Sequence, residues 1–157
     1  MQLYHGSNEE IKQPKIRQNL RALDFGGGFY LTSNIQQAQR WSHVVTKRRQ
    51  QGSATVNCYL LDKKIFTELS VLHFNAADED WLEFVVANRK MLPMPQQYDL
   101  VIGPVADDAT LPVIDDYMDG KYTKEEAIVR LLPQNLTDQY AFLTENALTY
   151  LSFLRSE

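Results

Sequence analysis

The stretch Asp24-Phe25-Gly26-Gly27-Gly28-Phe29-Tyr30-Leu31 runs directly into Thr32-Ser33-Asn34-Ile35-Gln36, and the fold turns on the kind of element its glycines lead into. A phosphate-binding loop passes from its glycines into a helix and carries a Walker lysine. Here the glycines open onto Phe29, Tyr30 and Leu31, an aromatic-rich run that reads as a strand, so an NTPase loop loses support. Ser33 with Gln36 then predicts a capping-box start for a helix running to about Gln50, ended by Gly52. Ile35, Ala38, Ser42 and Val45 recur in it at spacings of three and four, with Trp41 beside that stripe. Lys47-Arg48-Arg49 falls in the last turn, where cations suit the helix dipole.

Working outward, Leu3 to His5 reads as a short strand, and the polar, aperiodic residues 8–24 with Pro14 read as a long loop of the functional kind. After the helix, strands are expected at about 54–61 and 65–73, then a helix opened by Asp80 with Trp81, Phe84, Val85 and Asn88 on one face. Tyr98 to Pro104 has the character of a buried strand, and residues 110–118 and 124–132 that of short helices, the second capped by Thr123 and Glu126. Tyr140, Phe142 and Leu143 form a late strand, and Leu148 to Leu154 is strand or helix by pattern alone. Strands and helices do not alternate strictly, which disfavours a doubly wound parallel sheet and predicts an α+β class.

The 157 residues, 44% of them apolar, suit one domain spanning 1–157. A net charge of −4 gives no strongly cationic footprint, which disfavours a histone-like or ribosomal role. Charge is nevertheless uneven: residues 1–52 carry eight Lys/Arg against Glu9, Glu10 and Asp24, a net +5, and the remainder nets −9. Such asymmetry suits an anionic ligand near the first third, or a solvated basic face. The lone Cys58 cannot close an intrachain bridge, Met1 to His5 lacks the pattern of a signal peptide, and no apolar run approaches a bilayer span. The expectation is a cytoplasmic protein without membrane contact.

Few chemistries have the residues they need. His5, His43 and His73 do not stand at metal-ligand spacing with one another or with Cys58, so no metal is expected. Asp107-Asp108, Asp115-Asp116 and Asp119 lack the glycine-punctuated spacing of a calcium loop and read as caps and solvated surface. No Gly-x-Ser-x-Gly elbow is present.

What remains is an ordered set: Tyr4-His5-Gly6-Ser7 at the first strand, Phe25-Gly26-Gly27-Gly28-Phe29-Tyr30 at the second, Trp41 eleven residues later, and Asp138-Gln139-Tyr140 at a late strand. With these residues the sequence resembles the ADP-ribosyltransferase superfamily, specifically the poly(ADP-ribose) polymerase catalytic domains, whose signature is His, Tyr and then Glu or a substitute on three separated strands. The corresponding positions are His5, Tyr30 and Gln139. The whole chain also looks like a bacterial group of compact members of that superfamily, in which the Trp81 helix and the Tyr98-to-Pro104 strand with Asp107-Asp108 recur.

The resemblance implies a split mixed and antiparallel sheet with flanking helices, and NAD as substrate in a cleft where His5, Tyr30 and Gln139 converge. In that reading Tyr30 and Trp41 wall the cationic nicotinamide ring, which a π-face attracts with about 1 kcal/mol. Gly6 lets the carboxamide reach backbone N–H and C=O, and Ser7 adds a hydroxyl. His5 meets a ribose hydroxyl through one ring nitrogen acting as donor, with the other tied to the scaffold. Phe25 and Gly28 belong to the NAD-binding turn, and Arg21, ahead of Lys15 and Arg17, answers the pyrophosphate. Gln139 keeps a hydrogen bond where a glutamate would also carry charge, which disfavours chain elongation and favours transfer of a single ADP-ribose, or slow hydrolysis. Glu145 stands six residues on as a conceivable substitute.

The implied activity is mono-ADP-ribosyl transfer, a glycosyltransferase reaction, to a protein or nucleic-acid acceptor, in a molecule sized like a bacterial toxin or effector held by a neutralising antitoxin protein. The competing reading is an NAD or ADP-ribose binding module that has lost transfer with its glutamate. A third, RNA phosphotransfer on a related fold, is disfavoured by the −9 balance after residue 52.

Overall fold

The computed structural model describes residues 1–16, 24–94, 96–106, 109–134 and 136–157; Arg17, Arg21 and the Asp107-Asp108 pair lie outside the described residues. Along the chain run β1 (Gln2–Ser7), β2 (Phe29–Leu31), α1 (Ile35–Arg49), β3 (Thr55–Leu61), α2 (Ile65–Glu68), β4 (Val71–His73), α3 (Glu79–Arg89), β5 (Leu100–Pro104), α4 (Leu111–Met118), α5 (Lys124–Leu131), β6 (Asp138–Phe142), α6 (Glu145–Leu148) and β7 (Leu151–Ser156). The strands form two sheets, an antiparallel one in the order β1-β3-β7 and a mixed one in the order β2-β6-β5-β4, where only β4 and β5 run parallel. The class is α+β.

Alternation along each strand builds the layers. Leu3, Tyr59 and Leu61 of the first sheet meet Phe29, Leu31, Leu100, Ile102, Tyr140 and Phe142 of the second in one core between the sheets. The opposite face of the second sheet, with Val101 and Ala141, is covered by Trp81, Leu82 and Val85 of α3, Ile114 of α4 and Ala127 and Leu131 of α5. Helix α1 lies on the outer face of the first sheet and buries Ala38, Ser42 and Val45, the stripe its periodicity predicts.

Several local expectations shift. Asn34, not Ser33, caps α1 by accepting from Gln37 N at 3.1 Å, because Ser33 is engaged by the carboxylate of Asp138. Asp78, not Asp80, caps α3, accepting from Trp81 N at 3.0 Å. The predicted strand at 65–73 divides into α2 and β4: Asp62 Oδ1 accepts from Lys64 N at 3.0 Å and starts a turn where the apolar pattern alone suggested extension. The C-terminal ambiguity resolves into α6, capped by Thr144, followed by β7. Cys58 is buried as expected, and burial pushes its thiol pKa up.

Candidate functional site

The site begins where two strands stop pairing. Tyr4 and Thr32 exchange both backbone bonds, Tyr4 N to Thr32 O at 2.8 Å and Thr32 N to Tyr4 O at 2.9 Å. In an antiparallel ladder the next pair to exchange bonds lies two residues along each strand, which here means Gly6 with Tyr30. That pair does not form, since Tyr4 with Thr32 is an isolated bridge. The carbonyl of Tyr30 accepts instead from Nδ1 of His5, at 2.6 Å. Gly6 has the same parity as Tyr4 in β1, so its N–H and C=O turn away from β3 and face the split between the strands.

His5 is fixed on two sides. Its ring stacks on Phe29 with centroids 4.3 Å apart, and its bond to a carbonyl, which can only accept, places the proton on Nδ1. Burial lowers the imidazole pKa to about 4; the bond to Tyr30 works the other way, and the positive charge of Arg49 adds to the lowering. At neutral pH the ring is therefore uncharged and presents Nε2 as an acceptor. This corrects the expectation of a donor: a ligand hydroxyl at Nε2 would be the donor of the hydrogen bond and His5 its acceptor.

Gly6 is required for a different reason from the one its sequence context suggests. A Cβ there would stand 2.2 Å from Ala38 O and 2.8 Å from Ser42 N, so helix α1 lies directly on the strand. The bare α-carbon admits the helix, and the N–H and C=O of Gly6 face the split. Ser7 is 2% exposed and pairs with Thr55. Trp41, on the flank of α1, is 48% exposed, with the guanidinium of Arg48 5.7 Å from its ring centroid.

The glycine-rich turn is held from within. The Tyr30 hydroxyl donates to Gly26 O and accepts from Phe25 N at 3.2 Å, and burial pushes its pKa far up. Asp24 Oδ1 takes two bonds from Arg89 of α3, at 2.6 and 2.9 Å. Gly26 has φ +96°, a conformation L side chains rarely adopt, and a Cβ on Gly28 would stand 2.5 Å from Phe142 O. Phe25 is 1% exposed and packs against Phe74 and Phe84. A ring so enclosed offers a ligand no surface; its place in the NAD-binding set is corrected to that of the anchor of the turn.

Gln139 sits on β6, next to β2, where Tyr30 is opposite Ala141. Period-two alternation puts Gln139 on the same face of the sheet as Tyr30, at a diagonal separation of ~7–8 Å. Its side chain is buried, and Nε2 reaches Pro104 O at 3.5 Å, a carbonyl that Trp81 Nε1 already holds at 2.9 Å. The His5 ring, stacked on Phe29, lies on the other face of β2. The structure thus joins His5 to the backbone of Tyr30 and sets Gln139 beside the Tyr30 side chain, but it does not gather the three side chains on one face. Glu145, the conceivable substitute, accepts from Ile16 N at 3.1 Å on α6. Lys15 is exposed.

Two features escaped the sequence reading. Arg49 donates to Asn8 Oδ1 at 2.7 Å, which holds the end of α1 against the chain just past β1 and places a cation whose field reaches His5. Its place in a basic helix end hid it. The other feature is a cavity of about 610 Å³ between the end of β4 and α3, lined in part by His73, Phe74, Asp80, Phe84 and Leu92. A smaller one of about 170 Å³ shares His73 and Phe74 and reaches Asp138 and Tyr140, the neighbours of Gln139. Neither cavity includes His5 or Tyr30 in its lining. Among the described residues no group of three or more His, Cys, Asp or Glu side chains could hold a metal ion, and no helix is long and apolar enough to cross a membrane.

Compared with known proteins, residues 1–153 match the family described as "Protein of unknown function (DUF3990)". No curated protein and no solved structure matches the chain.

Proposed function

We propose that this chain, which belongs to the DUF3990 family, is an NAD-dependent mono-ADP-ribosyltransferase acting on a protein or nucleic-acid acceptor, with its nicotinamide site at the split between β1 and β2. One observation carries the reading. The ladder is interrupted after Tyr4 and Thr32, and the missing Gly6–Tyr30 pair leaves the N–H and C=O of Gly6 side by side. A planar carboxamide needs such a pair, one donor for its oxygen and one acceptor for its nitrogen. Without the His5 bond, the Tyr30 carbonyl would compete for the Gly6 N–H.

The remaining groups support the same ligand. Trp41 leaves about half its surface open on the helix that crosses Gly6, a π-face for a cationic ring. His5 accepts a ribose hydroxyl through Nε2 and, being neutral, orients it without transferring charge. When the bond between C1′ of the ribose and the nicotinamide nitrogen breaks, its electron pair leaves with nicotinamide. Positive charge develops on the ribose, and an acceptor nucleophile closes on C1′ while releasing its proton. The third signature position carries no charge, since Gln139 is an amide buried against Pro104 on the face opposite His5, so a nucleophile that is already competent is needed and transfer stops after one ADP-ribose.

The amide of Gln139 favours a second reading, a binding module that holds NAD or ADP-ribose without turnover. Release of labelled nicotinamide from NAD by the purified protein, with and without cell extract as a source of acceptors, separates the two. Release that disappears in His5→Ala is the expected result. Binding without release across all extracts establishes the module instead, and no binding at all removes NAD as the ligand.

A further inference from the structure

We infer that Gln37 reads the carboxamide and makes the site select the nicotinamide dinucleotide over its nicotinic acid counterpart; this rests on the NAD reading above. Among the described residues the Oε1 of Gln37 is the buried side-chain oxygen that has no hydrogen-bond partner. An enclosed acceptor without a donor is costly, and a donor from a ligand or a water relieves that cost.

Its position identifies what completes it. Gln37 and Trp41 are one turn apart on α1, and the carbonyl of Ala38 and N–H of Ser42 in that same stretch enclose Gly6. Half-buried Ile35 and Thr46 flank the buried stripe of α1 on one side, and Gln37 and Trp41 flank it on the other. Helix α1 connects β2 to β3, which run parallel with β1 between them, and the right-handed sense of such a crossover turns the Gln37 flank toward the unpaired edge of β1.

The hydrogen-bond count then closes. A carboxamide has one oxygen and two N–H donors. Gly6 N–H answers the oxygen and Gly6 C=O one N–H, which leaves the second N–H for Gln37 Oε1. A carboxylate in the same place has no N–H to give Gln37 Oε1 and sets an anionic oxygen against the fixed carbonyl of Gly6.

Calorimetric titration of the full chain with NAD, nicotinic acid adenine dinucleotide and ADP-ribose tests this. The protein should bind NAD at least about tenfold more tightly than the acid form. Gln37→Leu should weaken NAD and cut that preference severalfold, the carbonyl of Gly6 keeping the rest, with ADP-ribose, which lacks the ring, still bound and reporting an intact fold. Gln37→Glu keeps an acceptor and should keep the preference. A preference unchanged in Gln37→Leu, or a parent protein that prefers the acid, overturns the inference while leaving the NAD reading standing. Absence of NAD binding by the parent protein overturns both. Should Gln37→Leu lose ADP-ribose as well, Gln37→Glu decides alone, its loss of preference counting against the inference.

Discussion

Nδ1 of His5 lies 2.6 Å from the carbonyl oxygen of Tyr30, taking the acceptor that a continued ladder would have given to Gly6. One side chain thereby replaces a backbone bond and frees two backbone groups at the neighbouring residue. Burial of the His5 ring couples the stability of the strand junction to the protonation state of that imidazole.

Stability should depend on pH through His5. The folded pKa of His5, about 4, lies below the ordinary value of 6.5, so between these values the unfolded chain binds more protons and stability rises with pH. The contribution is fully present above pH 6.5 and is lost as pH falls toward 4, at most about 3 kcal/mol by linkage. Urea midpoints measured at pH 7.5 and 4.5 should differ, and the difference should shrink in His5→Gln. An unchanged difference would place the sensitivity in other groups.

The glycines should separate cleanly. Gly6→Ala sets a methyl against helix backbone at 2.2 Å and should cost ~3 kcal/mol or more, because backbone cannot step aside as a side chain can. Gly27 has nothing within 4 Å of its Cβ position and no positive φ, so Gly27→Ala should be within ~0.5 kcal/mol of the parent. Equal effects in thermal unfolding would contradict the close contact between α1 and β1.

Asp24 and Arg89 form a largely enclosed pair, their side chains 12% and 22% exposed. Removing one partner leaves the other desolvated, so Arg89→Ala should lower stability by roughly 2–3 kcal/mol. It should also loosen the turn that Tyr30 holds, which hydrogen exchange at the Phe25 amide can read. Protection unchanged at that amide would show that the Tyr30 hydroxyl holds the turn by itself.

Gln139→Glu tests the third signature position. Where position 139 reaches the reacting ribose, a carboxylate there raises nicotinamide release on the order of tenfold to a hundredfold. It also gives up the donor to Pro104 O, with a stability cost of ~1 kcal/mol. Lower stability without faster release would confine Gln139 to a packing role.

The two tryptophans give a direct binding signal, since Trp41 is 48% exposed and Trp81 is 0% exposed. NAD should quench emission from Trp41 alone, and Trp41→Phe should abolish the response while keeping a π-face. Trp41→Ala should weaken NAD by about fivefold, the equivalent of ~1 kcal/mol of ring attraction. Quenching that persists in Trp41→Phe would move the ligand to another site.

The chain's own order of residues determined its α+β class, the strand after the glycine triplet, the stripe of α1, and the turn and cap residues near most element ends, because period, glycine and capping side chains act over a few residues. The place at 65–73 where it misled is also local, an Asp62 turn that competes with an apolar run suited to extension. Only the tertiary structure decided the purpose of those residues. Gly6 reads as room for a ligand and turns out to be room for Ala38 and Ser42; Phe25 reads as part of a binding turn and is its buried anchor; the ring of His5 reads as a donor and is an acceptor. Each outcome depends on a partner 25 or more residues away, and no pattern along the chain records which backbone groups distant partners will leave unpaired.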